Sequence, residues 1–212
     1  MLQTRRSASV TAVTQIKDLD GCNMGRIIQI RDLDTSAGKV ETEMANLIVY
    51  YSRKGQNYWN GSIVDLAKGN TERVAEFVQK AVGGDLFEIE TVREYSKDYM
   101  TCTEEAKAEL REGARPELKK YLDSVEQYDT IFVGYPNWWG TMPMCVYTFL
   151  EHYDLTGKKI VPFCTNEGSG MGGSERELKK ICKGATVASG LSIHGAEAAQ
   201  SESKVAAWAK NQ

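Results

Sequence analysis

The stretch that decides the fold runs from Thr130 to Pro143 and reads TIFVGYPNWWGTMP. Its first five residues form a short apolar run, which is typical of a strand buried on both faces of a parallel sheet. The rest carries the proline and glycine of a loop, yet it contains Trp138 and Trp139 side by side. Whether that loop borders a binding site depends on where its strand lies in the sheet.

Four other segments have the pattern of strands. NLIVYY (Asn46 to Tyr51) and KKIVPFCTN (Lys158 to Asn166) are apolar throughout, whereas DLFEIE (Asp85 to Glu90) alternates, and ATVASGLSIHG (Ala185 to Gly195) is a weak strand. Apolar runs indicate central strands and alternation indicates an edge. Helices between the strands imply right-handed parallel crossovers. The sequence therefore predicts a three-layer α/β fold, a doubly wound five-stranded parallel sheet of order 2-1-3-4-5.

The helices are predicted from apolar spacing and capping residues. GNTERVAEFVQKAV (Gly69 to Val82) follows the first strand, and another helix is predicted from Pro143 to His152. We expect TCTEEAKAELREG (Thr101 to Gly113) to be a solvated insertion with an exposed Cys102, whereas Cys145 and Cys182 are expected to pack in the interior. Two further helices are predicted, SERELKKICKG (Ser174 to Gly184) and SESKVAAWAKNQ (Ser201 to Gln212).

Composition narrows the class of protein. The 212 residues are 42% hydrophobic and 26% charged, with a net charge of −3 and no basic stripe that would suggest nucleic acid. No apolar run approaches the roughly 18 residues that span a membrane. Five dispersed cysteines predict reduced thiols and a cytoplasmic location, and with two histidines no metal site is expected. Residues 1–43 are expected to be a poorly ordered or non-native extension, with GRIIQIR as a short strand, and residues 44–212 the folded domain; Met44 is a candidate initiator.

A sheet of this order binds ligands outside the carboxyl ends of its first and third strands. The tryptophan loop follows the third strand, and the GNT that opens the first helix follows the first strand. A helix N-terminus offers unpaired amides and a positive partial charge to a phosphate, and Ser52, Asn70 and Thr71 can add hydrogen bonds. Plain helix capping is the alternative. Neither a Walker loop nor Gly-x-Gly-x-x-Gly is present.

The tryptophan loop can offer a flat wall to a planar ring, with Gly140 letting the backbone approach the ring edge. Alternatively, one or both indoles plug the end of the sheet. The glycine-rich CTNEGSGMGG (Cys164 to Gly173) would form the opposite wall. A phosphate site between two such walls indicates a mononucleotide with a large flat ring, which FMN fits best.

The segment from Asn46 to Gln212 resembles the flavodoxin-like family, in the branch with a long phosphate loop. IVYYSRKGQNYWNG, KGNTERVA, EGARPEL, VGYPNWWGTMP and CTNEGSG carry the resemblance. It implies that FMN is the cofactor and that no side chain acts as a catalytic acid or base. The phosphate would be held by Ser52, Asn70 and Thr71, with Lys54 and Gln56. The ring and ribityl chain would lie against Pro136, Asn137, Trp138, Trp139 and Gly140 on one side and Thr165, Glu167, Gly168, Ser169 and Gly170 on the other.

Two features depart from ordinary flavodoxins. The chain is only weakly acidic, and residues Arg53 to Lys68 lengthen the phosphate loop, where QNYWNG is expected to cover the cofactor or meet a partner. The leading hypothesis is a redox protein that passes electrons through FMN to redox partner proteins. An FMN quinone reductase using NAD(P)H and a small quinone-like acceptor, with Tyr95 and Tyr99 shaping its pocket, is an alternative. A flavin-free interaction module is the third, and the oligomeric state is left open.

Overall fold

The computed structural model describes residues 45–212. The extension predicted over residues 1–43, its GRIIQIR strand and Met44 lie outside the described residues. The described residues form eight strands: β1 (Asn46–Tyr50), β2 (Gly55–Trp59), β3 (Ser62–Leu66), β4 (Asp85–Glu88), β5 (Thr130–Pro136), β6 (Lys159–Asn166), β7 (Thr186–Val187) and β8 (Leu191–His194). Five α-helices accompany them: α1 (Asn70–Val82), α2 (Tyr99–Glu112), α3 (Met144–Glu151), α4 (Ser174–Ile181) and α5 (Glu202–Ala209).

The main sheet is parallel and has the order β4-β1-β5-β6, with β7 and β8 both paired to β6. Counted along the chain this is the predicted order 2-1-3-4-5, which is confirmed. The fifth position differs from the prediction because it holds two short strands in place of one. The break between them lies opposite Pro162 of β6, which has no N–H to give to a ladder.

Each central strand sends alternate side chains to opposite faces of the sheet. On one face, Leu47 and Val49 of β1 join a core that includes Phe149 of α3 and Leu178 of α4. On the other face, Ile48 and Phe132 join a core completed by residues of α1 and α5. Both faces of β1, β5 and β6 are therefore covered, which is why their sequences are apolar throughout.

The Arg53–Lys68 segment, predicted as a long loop, contains a β-hairpin formed by β2 and β3. Its turn is Asn60-Gly61, with φ of 46° and 91°. Positive φ at both central positions belongs to a type I′ turn, for which Asn-Gly is the preferred pair. The hairpin lies between β1 and α1, directly before the helix predicted to bind phosphate.

The prediction that Cys102 is exposed is wrong, because the residue is only 2% exposed. Cys102 and Ala106 lie one turn apart on α2 and face inward, so α2 packs on the domain through a narrow stripe of small residues. Cys145 and Cys182 are buried as predicted. Within residues 45–212, no helix is long and apolar enough to cross a membrane, and no cluster of His, Cys, Asp and Glu could hold a metal ion.

Candidate functional site

A polar cavity of about 240 Å³ opens at the carboxyl ends of β5 and β6, beside the start of α1. It lies at the point where the strand order reverses, as predicted for the ligand crevice. The side chains and backbone that line it come from the hairpin, the start of α1, the tryptophan loop and the loop after β6. They are Arg53, Asn57, Tyr58, Asn70, Thr71, Tyr99, Pro136, Asn137, Trp138, Thr165, Asn166, Glu167, Ser169 and Gly195.

The N-terminus of α1 presents free donors to this cavity. The amide of Glu72 donates to Ser52 Oγ at 3.0 Å, whereas the amides of Asn70 and Thr71 have no acceptor among the described residues. A Cβ at Gly69 would lie 2.6 Å from the carbonyl oxygen of Arg53 and would also overlap Ser52 Oγ. Glycine is therefore required for the helix to start this close to the end of β1. Ser52 acts as a cap from behind the helix.

Hydroxyl and carboxylate groups continue the polar surface. Thr71 and Thr165 join their hydroxyls at 2.7 Å, and since one proton serves that bond, the other remains available to a ligand. Glu167 Oε2 accepts the amide of Asn60 at 3.1 Å and lies 3.6 Å from His194 Nε2. Glu167 Oε1 is buried and has no hydrogen-bond partner. The cavity therefore offers both donors and an unused acceptor.

The tryptophan loop is built on a tight turn. Trp138 and Thr141 exchange hydrogen bonds of 2.8 Å (from the amide of Trp138) and 3.2 Å (from that of Thr141). The two central residues, Trp139 and Gly140, have φ of 55° and 84°, again the signature of a type I′ turn. The backbone of Gly140 is fully used within the protein, because its amide donates to Asn137 Oδ1 and its carbonyl accepts from the amide of Gly173.

This turn sends the two indoles in different directions. Trp138 points inward, with its ring edge-on to Tyr51 at 5.3 Å and to Tyr95 at 5.0 Å. Trp139 is 50% exposed and lies on α2, where its Nε1 donates to the carbonyl of Thr103 at 2.8 Å and Lys107 Nζ lies 4.9 Å from its ring centre. Trp138 is therefore held by aromatic packing, and Trp139 by polar contacts with a helix.

An apolar cavity of about 290 Å³ adjoins the polar cavity and shares four residues with it: Arg53, Tyr99, Asn137 and Trp138. Its remaining lining comes from α2 and the tryptophan turn: Met100, Cys102, Thr103, Ala106 and Trp139. Burial raises the pKa of the Cys102 thiol to about 11 and also raises the pKa of the Tyr99 hydroxyl. Both groups are therefore neutral at physiological pH.

The loop after β6 is shaped by two asparagines. Asn166 Oδ1 accepts the amides of Gly168 and Gly170 at 3.0 and 2.9 Å. Asn137 Nδ2 donates to the carbonyl of Gly170 at 2.8 Å, which joins this loop to the tryptophan loop. The glycines thus form the wall from behind, while Glu167 and Ser169 face the cavity.

The hairpin covers part of the cleft. Its tip is tied to the far wall by the bond from Asn60 to Glu167, and Tyr58 stacks on Tyr99 with ring centres 6.3 Å apart. Gln56 Oε1 accepts the amide of Tyr99 at the start of α2. Asn57 and Tyr58, in the QNYWNG segment that is expected to cover the cofactor or meet a partner, line the polar cavity.

The structure brings most of the predicted site residues together. Those on the polar cavity are Asn70, Thr71, Pro136, Asn137, Trp138, Thr165, Glu167 and Ser169, and Trp139 lies on the apolar cavity. Ser52, Gly140, Gly168 and Gly170 lie behind the lining. Lys54 pairs with Glu72 and Glu88, and Gln56 holds α2, so neither reaches the cavity.

Sequence reasoning missed three lining residues outright: Arg53, Asn166 and Gly195. Asn166 was detectable, since it is a polar residue at the carboxyl end of a central strand. Gly195 follows the weak fifth strand, and a Cβ there would lie 2.7 Å from Asn70 Nδ2 and would overlap Glu167 Oε1. Nothing in the sequence distinguishes the role of Arg53 from that of a solvated loop arginine.

Comparison with known proteins identifies the family. The family model described as Flavodoxin matches residues 63–212. The chain belongs to the flavodoxin family. Curated proteins gave no match.

Solved structures of flavoproteins are similar to this flavodoxin-family chain. A provisionally named flavoprotein from Bacteroides uniformis is 30% identical, with a TM-score of 0.64, over 79% of this chain and 98% of the other. One from Bacteroides eggerthii is also 30% identical, with a TM-score of 0.63, over 79% and 96%. A flavoprotein from Lactobacillus acidophilus, solved in complex with FMN, is 20% identical with a TM-score of 0.52, over 74% and 97%, and shares the fold.

Proposed function

We propose that this protein binds FMN in the joined polar and apolar cavities and transfers electrons through it. The observation that carries the proposal is the convergence of two features on one cleft. The free amides of Asn70 and Thr71 stand at one end, and Trp138, which lines both the polar and the apolar cavity, borders the passage between them. A phosphate and a planar ring, joined by a chain, match these two ends.

The polar groups fit the phosphate and the ribityl chain. Two backbone amides and the positive end of α1 favour an anion, and the spare proton of the Thr71–Thr165 pair adds a donor. Glu167 Oε1, a buried acceptor without a partner, suits a ribityl hydroxyl that donates to it. Glu167 itself repels a phosphate, so the phosphate belongs at the amides and the hydroxyls belong beside the carboxylate.

The dimensions fit only when both cavities are used. At about 240 Å³, the polar cavity is smaller than the roughly 300–1,000 Å³ of typical ligand sites. The adjoining apolar cavity adds about 290 Å³ between Trp138 and α2. The ring system therefore belongs in the apolar cavity, and the polar cavity takes the chain and phosphate.

In this proposal the bound FMN supplies the electron chemistry and the protein supplies binding and surroundings. Trp138 gives the ring a flat contact, and the hairpin excludes water from the polar end. The neutral Tyr99 and Cys102 leave the apolar end without titrating neighbours at physiological pH. No side chain is assigned a catalytic proton.

The mouth of the cleft is suited to contact with an electron donor or acceptor. Tyr58, Met100 and Trp139 are 42%, 63% and 50% exposed around it. We propose a redox partner protein or a small quinone-like acceptor as the second reactant. The four described cysteines are free thiols, which is typical of proteins in the reducing cytoplasm, and we propose that location.

The direct test compares FMN with riboflavin, which lacks the phosphate. Purified protein should show the visible absorption of a bound flavin, or acquire it on titration with FMN. Riboflavin should bind at least about tenfold more weakly, because it leaves the amides of Asn70 and Thr71 without an anion. Equal binding of FMN and riboflavin would refute the phosphate site. If the protein binds neither compound, the flavin-free interaction module is favoured.

A second measurement separates the two classes of electron acceptor. The FMN-loaded protein is mixed with NAD(P)H and a benzoquinone, and NAD(P)H oxidation is followed. Rapid turnover without a protein partner would identify a quinone reductase. Reduction that requires a partner reductase would identify an electron carrier.

A further inference from the structure

Arg53 is a buried guanidinium at the centre of the candidate site. It follows Ser52 directly, and the residue is only 9% exposed. Its Nε donates to the carbonyl of Gln56 at 2.8 Å, and its two terminal nitrogens donate to the carbonyls of Ser96 and Lys97 at 2.9 and 2.8 Å. The side chain thus joins the start of the hairpin to the segment before α2.

The charge of Arg53 has no counter-ion in the described part of the chain. All three of its acceptors are neutral carbonyls, and no carboxylate among residues 45–212 lies within 4.0 Å of the guanidinium. An arginine stays protonated at every physiological pH. Removing such a charge from water is costly unless an opposite charge compensates for it, and carbonyl dipoles compensate only in part. The site therefore favours a ligand that carries or gains negative charge.

Its position directs this charge at the proposed ring site. Arg53 lines the polar and the apolar cavity, and also a third cavity whose lining includes Glu88 and Glu90; among the residues lining the apolar cavity it is the only charged one. The opposing carboxylate, Glu167, lines the polar cavity alone. Burial raises the pKa of Cys102 and Tyr99, and the charge of Arg53 opposes that rise at both groups. Carboxylates add to the rise, Glu105, Glu109 and Asp98 at Cys102 and Glu167 at Tyr99, but Arg53 is the largest charge contribution at Cys102.

We propose that Arg53 sets the reduction potential of the bound cofactor by stabilising the negative charge that the ring gains on reduction. Two electrons and one proton, supplied by the reductant and the solvent, convert the neutral ring into a mono-anion. Oxidised FMN has a neutral ring, so Arg53 stabilises the reduced state selectively. This inference rests on the proposed function, because it requires FMN in the cleft.

The first test removes the charge and then restores it. Arg53→Gln is compared with Arg53→Lys, which keeps the charge but loses the planar fork that binds three carbonyls. The midpoint potential of bound FMN is measured by reductive titration with reference dyes at mildly alkaline pH. Arg53→Gln should lower the preference for reduced over oxidised FMN by about tenfold, which equals about 30 mV for a two-electron couple. Arg53→Lys should keep a potential close to that of the wild type.

A second pair of variants leaves Arg53 in place. Thr103→Glu adds a carboxylate to the wall of the apolar cavity, and Thr103→Gln is its uncharged counterpart of similar size. The midpoint potential of FMN in Thr103→Glu should lie below that in Thr103→Gln. The expected difference is again about tenfold in the preference for reduced over oxidised FMN. If Arg53→Gln does not fold, this pair still refutes the inference when a charge on the cavity wall leaves the potential unchanged, and Arg53→Lys then supplies the measurement at Arg53 itself.

Each outcome distinguishes the two proposals. If wild-type protein does not bind FMN, both the proposed function and this inference fall. If wild-type protein binds FMN, the preference for reduced over oxidised FMN is compared between Arg53→Gln and wild type, and between Thr103→Glu and Thr103→Gln. Differences of less than about twofold in both comparisons would refute only the role of Arg53. If Arg53→Lys shifts the potential as much as Arg53→Gln, the effect comes from lost architecture and the electrostatic inference is also refuted.

Discussion

The different roles of the two adjacent tryptophans, Trp138 at the proposed ring site and Trp139 on α2, can be tested with a matched pair of variants. Trp138→Ala removes the indole that points inward, and Trp139→Ala removes the one that lies on α2. The backbone turn is common to both positions, and the substitution is chemically identical. We expect Trp138→Ala to weaken FMN binding much more than Trp139→Ala does.

The size of the effect follows from the contacts of Trp138. Stacking on a flat ring contributes about 0.5–1.5 kcal/mol, and about 50 Å² of apolar contact contributes about 1 kcal/mol more. A loss of about 2 kcal/mol raises the dissociation constant about 30-fold. In the FMN-free protein, losing the edge-on pairs with Tyr51 and Tyr95 costs about 1–3 kcal/mol of folding stability.

Trp139 makes different contacts, which predict a different outcome. Its hydrogen bond to the carbonyl of Thr103 and its contact with Lys107 together contribute about 1–2 kcal/mol to stability. Since its side chain is half exposed, its removal should change FMN affinity by only about threefold.

The assay is FMN fluorescence quenching on titration, with urea unfolding of the FMN-free variants measured in parallel. The unfolding curves identify the range in which each variant is folded, so a loss of affinity cannot be mistaken for a loss of structure. Trp138→Phe serves as the control that retains a flat ring, and it should recover most of the affinity. Equal or greater weakening in Trp139→Ala would refute the assignment of Trp138 as the wall of the ring site.

Three further predictions concern the scaffold around the site. Gly69→Ala, at a backbone conformation that alanine tolerates, should cost about 1–3 kcal/mol in urea unfolding and weaken FMN binding, because its Cβ overlaps Ser52 and Arg53; unchanged affinity would separate the helix start from phosphate binding. In a Cys22→Ser variant, native protein should not react with a disulfide reagent at mildly alkaline pH, since burial keeps the remaining thiols protonated, and all four should react after unfolding: Cys102, Cys145, Cys164 and Cys182. The hydrogen bond from Arg115 lowers the pKa of Glu151, so the pair stabilises the fold above the unfolded-state pKa of glutamate, and that stability is lost as pH falls through the lower folded pKa. Because the pair is about one-third exposed, Glu151→Gln should cost only about 0.5 kcal/mol at neutral pH and nothing in acid; an equal loss at both would point to packing instead.

The strand order was predictable because burial leaves a direct trace in the sequence. Strands covered on both faces must be apolar at every position, whereas the edge strand β4 carries an exposed Asp85 and a partly exposed Glu88. The hairpin was also detectable, because the Asn60-Gly61 pair between two runs of alternating residues is a strong turn signal. The length of the segment, which exceeds that of most connections, favours a long loop instead, and this expectation outweighs the turn signal.

The predicted location of the site was closer to the structure than the predicted roles of its residues. Adjacent residues in a loop have no fixed relation of direction, so only the positive φ of Trp139 reveals that the two indoles diverge. The same turn requires a glycine at position 140, where φ is 84°. The turn therefore explains Gly140 locally, without the approach to the ring edge that the sequence predicts. The spacing of four between Cys102 and Ala106 places both residues on one face of a helix, which favours burial. The charged residues between them favour exposure instead, and the prediction followed the charged residues.

The surroundings of Arg53 were beyond sequence reasoning for a different reason. Its acceptors at Ser96 and Lys97 are backbone groups more than forty positions away, and a carbonyl has no residue-type signature. An ion pair can be suggested by acidic and basic residues in the sequence, whereas a guanidinium bound by backbone carbonyl oxygens leaves no such pattern. Such sites become visible only when the chain is folded.

The hairpin pairs Gly55 directly with Leu66, so its two ends are neighbours across a single ladder step. An inserted element with adjoining ends can be excised or exchanged without changing the span between β1 and α1. Replacing residues 56–65 with a short turn would expose the polar end while the six-stranded sheet kept its strand pairing, but it would also remove Gln56, whose Oε1 accepts the amide of Tyr99 at the start of α2. Opening the pocket in this way would therefore also loosen the start of α2.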